Sequence, residues 1–166
     1  MLRWQPAYIG LGSNLDDPRA QVLGAWERLG ALPDTRAVLR SGLYRSRPFG
    51  PVAQPDFVNA VAALLTRLQP EALLAELQAL EVTLGRRRDG PRWGPRRIDL
   101  DLLVLGAQRR GGAQLVLPHA GIVERNFVLY PLADIAPDLD VPGLGPVCEL
   151  KARLAPEGLW RIEPEE

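Results

Sequence analysis

Cysteine, histidine and lysine are nearly missing from this chain of 166 residues. The lone cysteine, Cys148, excludes an internal disulfide and leaves no Cys-x-x-Cys metal pair. His119 is the only histidine, and a single His following Pro118 is more often structural than catalytic. Lys151 is the only lysine, so arginine supplies nearly all the positive charge; a GC-rich genome or a warm habitat would each give that bias. Net charge is zero, which removes any overall field that would draw the protein to nucleic acid or an anionic membrane. No apolar run approaches the ~18 residues that a membrane span needs. The segment from Met1 to Pro6 lacks a basic stretch followed by an apolar one, so no signal peptide is expected, and the protein is expected to be soluble and cytoplasmic. There is no P-loop. Gly10-Leu11-Gly12 lacks the third glycine of a dinucleotide fingerprint, because Leu15 stands in its place. Neither a Gly-x-Ser-x-Gly elbow nor a protein-kinase signature occurs.

The length and a hydrophobic fraction of 46% suit one globular domain, 1–166, with a sizeable core. The apolar run Ala7 to Leu11 ends in Gly12-Ser13-Asn14 and reads as a strand and a turn. Asp16 and Asp17 before Pro18 open a helix carrying Val22, Trp26 and Leu29 to Gly30. Ala37 to Tyr44 reads as a second strand, Arg45 to Pro55 as a loop, and Phe57 to Leu65 as a third strand. Pro70 opens a second helix with Leu73, Leu77, Leu80 and Leu84 on one stripe, closed by Gly85. A charged loop, Arg86 to Arg96, leads to a fourth strand, Ile98 to Leu105. The order β-α-β-β-α-β predicts an α+β ferredoxin-like fold: an antiparallel sheet with helices packed on one face. Leu115 to Leu117 is a candidate extra strand. Glu124 to Ala133 is expected to be helical in part and broken at Pro131, and beyond Pro137 the chain is a Pro- and Gly-rich extension without clear assignment.

The chemistry concentrates around Asp99 and Asp101. Strand side chains at i and i+2 share a face about 6.6 Å apart, so these carboxylates point the same way while Ile98, Leu100 and Leu102 enter the core. A wet strand face would explain one such pair, but aspartate is depleted in strands. Six arginines (Arg86, Arg87, Arg88, Arg92, Arg96 and Arg97) crowd the preceding loop. Mg²⁺ is usually held by one or two carboxylates plus substrate phosphates, and arginine suits bidentate phosphate contacts. The segment therefore reads as a site for a metal-bound polyphosphate. Trp93 within that loop is either stapled to the body or a lid over a ligand. Phe57 and Asn59 share a face of the third strand. A buried amide must find partners, a heterocycle edge can supply them, and a second aromatic such as Phe127 could clamp a flat ring by offset stacking. His119 and Arg125 could together donate to phosphate oxygens.

Four segments in order resemble 6-hydroxymethyl-7,8-dihydropterin pyrophosphokinases of folate synthesis. They are Tyr8-Ile9-Gly10-Leu11-Gly12-Ser13-Asn14, Gln54-Pro55-Asp56-Phe57-Val58-Asn59, Arg92-Trp93-Gly94-Pro95-Arg96 running into Asp99-Leu100-Asp101, and Pro118-His119 followed by Arg125 and Phe127-Val128-Leu129. The similarity runs from Ala7 to about Pro142. It implies that ATP donates its β,γ-diphosphate to the pterin hydroxymethyl oxygen, leaving AMP. It further implies that Asp99 and Asp101 hold two Mg²⁺ ions and that the pterin lies between Phe57 and Phe127 with Asn59 at its polar edge. Groups near Ser46 and Phe49 would complete that pocket. Arg86 and Arg96 would neutralise the transferring phosphates; Arg88, His119 and Arg125 would help bind ATP; Trp93 would cover the site; and Glu81 would pair with the arginine loop on the ATP side. Arg47, where the family often has proline, Phe57, where tyrosine is also common, and Ala120, where an aromatic is often found, depart from the pattern, and Ala120 puts a nucleotide contact there in doubt. A monomer is expected, with no nucleic-acid or membrane partner. Two other classes compete: a single-stranded RNA-binding module on a ferredoxin-like sheet, which the neutral charge and the carboxylates oppose, and a two-metal nuclease, which would cleave phosphodiesters rather than release AMP from ATP.

Overall fold

The computed structural model describes residues 2–48, 50–85 and 94–162. The first apolar run forms β1 (Gln5–Ser13), longer than expected at both ends. Helix α1 (Pro18–Leu29) starts where Asp17 caps it, the carboxylate accepting from the Ala20 amide at 3.4 Å, and Val22, Ala25 and Leu29 are buried with Trp26 packed beside them. β4 (Phe57–Thr66) and α2 (Pro70–Thr83) follow the predicted pattern, and Leu73, Leu77 and Leu80 form the buried stripe of α2. β5 (Asp99–Leu105) completes the unit, with Leu100 and Leu102 buried as expected and Ile98 buried just before the strand.

The expected second strand is two strands, β2 (Thr35–Arg40) and β3 (Tyr44–Ser46), both paired antiparallel with β4. Arg40 pairs with Ala62 and Tyr44 with Asn59, so four steps along one strand oppose three along the other, and one extra residue is accommodated at 41–43. Ser41 makes the break tolerable. Its amide donates to the Val61 carbonyl at 2.9 Å and its hydroxyl accepts from the Val61 amide at 2.9 Å, so the side chain stands in for a backbone acceptor. β3 also carries strand structure to Ser46, within the region expected to be loop.

All pairings in the main sheet are antiparallel, in the order β10-β3-β4-β1-β5 with β2 alongside β3 on β4; β10 (Leu159–Arg161) is the final strand. Its βαββαβ portion has the ferredoxin-like arrangement. Alternation divides the sheet into two faces. Ala7, Ile9, Leu11, Val58, Ala60, Ala62, Leu64, Leu100 and Leu102 pack against α1 and α2. Val61 and Leu103 look the other way, with Tyr8 packed beside them, toward a second apolar cluster. The rest of that cluster comes from the chain after β5: β6 (Arg110–Gly111) pairs with β7 (Val116–Leu117), then come a 3₁₀ turn (Ile122–Glu124), α3 (Asn126–Ile135) and, in the extension beyond Pro137, the hairpin β8 (Asp140–Val141) and β9 (Gly145–Pro146), and α4 (Val147–Ala152). Helices therefore cover both faces rather than one. α3 continues through Pro131, contrary to the expected break. Proline removes one helical hydrogen bond, but Val128, Leu129, Pro131 and Leu132 are all buried against the sheet, and that packing holds the helix.

β10 ties the extension back to the sheet through β3. The buried Tyr44 on β3 donates its hydroxyl to Asp134 Oδ2 of α3 at 2.6 Å, and Arg161 of β10 reaches the same oxygen at 3.2 Å. No described helix is long and apolar enough to cross a membrane.

Candidate active site

On the second face, beside the first turn of α3, the sheet forms the floor of a cavity of about 310 Å³. Two glycines of the central strand make that floor open. Gly12 pairs with Asp99 on one side and Asn59 on the other, and Gly10 pairs with Asp101 and Val61. A Cβ on Gly12 would stand 3.2 Å from Asn59 Oδ1 and 3.9 Å from Phe57 Cδ1. Any side chain there would enter the space between the carboxylates of β5 and the aromatic and amide of β4. The alternation of Gly10 and Gly12 along β1 is the sequence signal for this open floor.

Asp99 and Asp101 both line the cavity and are partly exposed, as the period-two argument requires. Phe57 and Asn59 line it from the other side. Asn59 is buried, and its Nδ2 donates to Ser46 Oγ at 2.6 Å, so β3 fixes the amide plane. Phe127 is the second residue of α3 and Ser46 closes β3, and both are cavity residues.

The hydrogen-bond-donating side comes from three segments. Arg125 sits just before α3, with its guanidinium 4.0 Å from Asp101 Oδ2 and 5.8 Å from the Phe127 ring centre. Gly121 permits this, because a Cβ there would fall 2.6 Å from Arg125 Nε. Arg96 lines the cavity beside Gly94. His119 is pinned by its own amide, which donates to the Leu103 carbonyl at 2.9 Å, and by its Nδ1, which accepts from the Gly121 amide at 3.0 Å. Nδ1 is thus an acceptor and the neutral ring carries its proton on Nε2. Burial, reinforced by the Arg125 charge and only partly opposed by Asp99, holds its pKa below 6.5.

Asn14, to which the sequence assigns no role of its own, is 2% exposed and joins three segments of the rim. Its Oδ1 accepts from the Arg96 amide at 2.8 Å and its own amide donates to the Arg96 carbonyl at 2.9 Å. Its Nδ2 donates to Gln54 Oε1 and to the Pro55 carbonyl, each at 2.9 Å. Glu81 does not line this cavity. It is buried at 2% exposure, and its Oε2 accepts from the Leu100 amide on the outer edge of β5 at 3.0 Å. The expected site residues Phe49, Arg86, Arg88 and Trp93 lie outside the described residues.

Paired carboxylates, guanidinium groups and an aromatic–amide recess thus share one face of a ferredoxin-like antiparallel sheet, the class of domain this structure defines. Comparison with known proteins narrows this fold class to a family. The family model described as 7,8-dihydro-6-hydroxymethylpterin-pyrophosphokinase (HPPK) matches residues 8–137. The chain is 50% identical over 158 residues to the 2-amino-4-hydroxy-6-hydroxymethyldihydropteridine pyrophosphokinase of Pseudomonas aeruginosa, covering 95% of this chain and 97% of that one. It is 47% identical over 157 residues to the protein of the same name from Methylorubrum extorquens, covering 95% and 98%. Among solved structures, a Plasmodium falciparum HPPK-DHPS variant with pterin and p-hydroxybenzoate superposes with a TM-score of 0.75 at 13% identity, over 96% of this chain and 47% of that one. The wild-type form with the same ligands gives 0.70 at 14% identity, over 92% and 43%. This chain thus spans under half the length of those fused proteins, and their likeness concerns the fold. The chain belongs to the 7,8-dihydro-6-hydroxymethylpterin-pyrophosphokinase family.

Proposed function

We propose that this chain is a single-domain, Mg²⁺-dependent enzyme that moves the β,γ-diphosphate of ATP to the hydroxymethyl oxygen of 6-hydroxymethyl-7,8-dihydropterin, a step of folate biosynthesis. The observation that carries the reading is the floor: Asp99 and Asp101 face Phe57 and Asn59 across the two glycines of β1, so a phosphate-handling half and a ring-handling half share one open surface.

The ring half would take the pterin between Phe57 and Phe127. Asn59, held by Ser46, would present its amide to the heterocycle edge; its fixed plane lowers the ordering cost of binding. The phosphate half fits hard cations. Its donors are carboxylate oxygens, and the glycines opposite leave space for phosphate oxygens and water to complete coordination. Two Mg²⁺ ions bound there would screen the triphosphate and polarise the attacking hydroxyl. Arg96 and Arg125 would stabilise charge on the transferring diphosphate, with Arg86 as a further candidate from the preceding loop. His119, neutral, would donate from Nε2 to a phosphate oxygen of ATP, and Arg88 would add a charge. Trp93 would close over both substrates and exclude water. Glu81 would hold β5 through the Leu100 amide and pair with the arginine loop on the ATP side.

In the transfer, a bond forms between the pterin hydroxymethyl oxygen and Pβ, the bond from Pβ to the oxygen bridging it to Pα breaks, and AMP leaves. The hydroxyl proton departs to solvent; no described side chain is assigned as its base. Positioning and charge stabilisation dominate such reactions. The RNA-binding alternative is disfavoured because the face it would use carries Asp99 and Asp101 and is partly covered by α3. We take the working form to be a cytoplasmic monomer.

The test is AMP release from ATP and Mg²⁺ with and without 6-hydroxymethyl-7,8-dihydropterin. AMP that requires the pterin supports the proposal; folded protein that releases none, or releases it regardless of pterin, sinks it.

A further inference from the structure

We infer that Asn14 is a positioning residue that sets the spacing between the two halves of the site, each end of its side-chain amide holding one half. The inference rests on the pterin and ATP reading above.

The orientation of this amide follows from its partners. The Arg96 main-chain N–H can only donate, and the Pro55 carbonyl can only accept. Oδ1 must therefore face Arg96, and Nδ2 must face Pro55, as the distances of 2.8 and 2.9 Å have it. Gln54 takes the second Nδ2 hydrogen at 2.9 Å, and the side chain of Asn14 is then fully engaged at 2% exposure.

What lies downstream of each contact gives the residue its role. Pro55 precedes Phe57 and Asn59, the ring-binding pair, by two and four residues. Arg96 lines the phosphate half itself and precedes Asp99 by three residues. Gly12, two residues before Asn14, lies in register between Asp99 and Asn59. The sheet fixes the three strands at the floor, while Asn14 fixes the chain segments that approach them, just above it. A buried asparagine serving only stability would have no reason to divide its contacts this way. One dividing them between two ligand sites allows the sites to be perturbed separately.

Asn14→Asp performs that separation. The new carboxylate keeps an oxygen for the Arg96 amide but cannot donate to the Pro55 carbonyl, and its second oxygen faces that carbonyl directly. Binding of α,β-methylene-ATP, whose bridging group cannot be cleaved, is measured first, in Mg²⁺. The pterin is then titrated into protein saturated with the analogue. In Asn14→Asp the pterin Kd is expected to rise about tenfold, the scale of one unsatisfied buried hydrogen-bonding group, while the analogue Kd moves by less than about twofold. Gln54→Ala removes one acceptor without altering Asn14 and is expected to raise the pterin Kd about threefold in the same direction; it decides the matter if Asn14→Asp does not fold. Equal rises in both constants, or none in the pterin Kd, overturn the assignment. Wild-type protein that binds neither ligand overturns the reaction reading and this inference with it, whereas wild-type binding with matched shifts in the variants overturns the inference alone.

Discussion

Gly10 lies directly across from Asp101 in the β1–β5 ladder, and a methyl group added at Gly10 would stand 3.7 Å from the Asp101 Cβ. With Gly12 beside Asp99, the centre of the sheet carries no side chains where the carboxylates need space. Emptiness at these two positions is as much a part of the site as the acids are.

Filling that space should block the ring half without unfolding the protein. Gly12→Val would put branched carbons against Asn59 Oδ1 and the Phe57 ring, although valine suits a strand. Pterin binding is expected to weaken at least about tenfold, with a near-native circular dichroism spectrum. Unimpaired pterin binding would show that the ring does not sit on this floor.

Asp99→Asn and Asp101→Asn preserve shape and remove charge. Each is expected to lower pterin-dependent AMP formation by about a thousandfold or more, because on the proposed reading both carboxylates would hold the cations that stabilise the transfer. A Mg²⁺ titration of the residual rate should require higher metal concentration than the wild type. A loss of less than about tenfold would refute the metal assignment.

His119 gives a pH signature. Its folded pKa lies below the ordinary 6.5, through burial and the facing Arg125, with Asp99 opposing. An unfolded chain therefore binds the proton more readily. Stability from this residue is complete above the unfolded value and declines as pH falls from there toward the lower folded pKa. His119→Asn can keep an acceptor for the Gly121 amide yet cannot titrate. In urea unfolding of ligand-free protein between about pH 7.5 and pH 5, the wild type should lose more stability than the variant. Parallel declines would contradict the burial of a neutral imidazole.

Tyr44→Phe removes the hydroxyl that β3 directs at Asp134. Hydrogen bonds to charged groups are worth roughly 1.5–3 kcal/mol, and Arg161 remains at 3.2 Å from the same carboxylate, so a cost near the lower end, about 1.5 kcal/mol, is expected. Because β3 also carries Ser46, the partner of Asn59, pterin affinity should fall as well; chemical denaturation and a pterin titration check the two effects.

Much of this architecture is legible from local pattern. Asp99 and Asp101, like Phe57 and Asn59, declare a shared face by spacing alone, and the Leu73, Leu77, Leu80 stripe declares a helix. What escapes is whatever depends on a distant partner. The division of β2 from β3 rests on a serine hydroxyl entering a ladder with Val61, which no windowed periodicity contains. Pro131 stays helical because the sheet behind it supplies more packing than the missing hydrogen bond removes. β10 has only Leu159, Trp160 and Arg161 as a signal, and its strand character comes from β3. Glu81, expected to pair with the arginine loop, also accepts from the Leu100 amide of a strand 19 residues away, a contact no helical stripe announces. Asn14 could be seen in a turn, but its four hydrogen bonds reach 40, 41 and 82 residues along the chain.

β1 is hydrogen-bonded on both sides and covered on its inner face, and on the proposed reading it also underlies the reacting groups. Its amides should be among the last in the molecule to exchange with deuterated solvent, opening only with the whole fold. Ligands then have almost nothing to add there, since protection already approaches the global limit. Substrate-dependent changes in exchange should appear at the rim, around Gln54-Pro55 and Gly94 to Arg97. A label meant to report occupancy belongs on those segments, because the floor stays silent while the chemistry takes place above it.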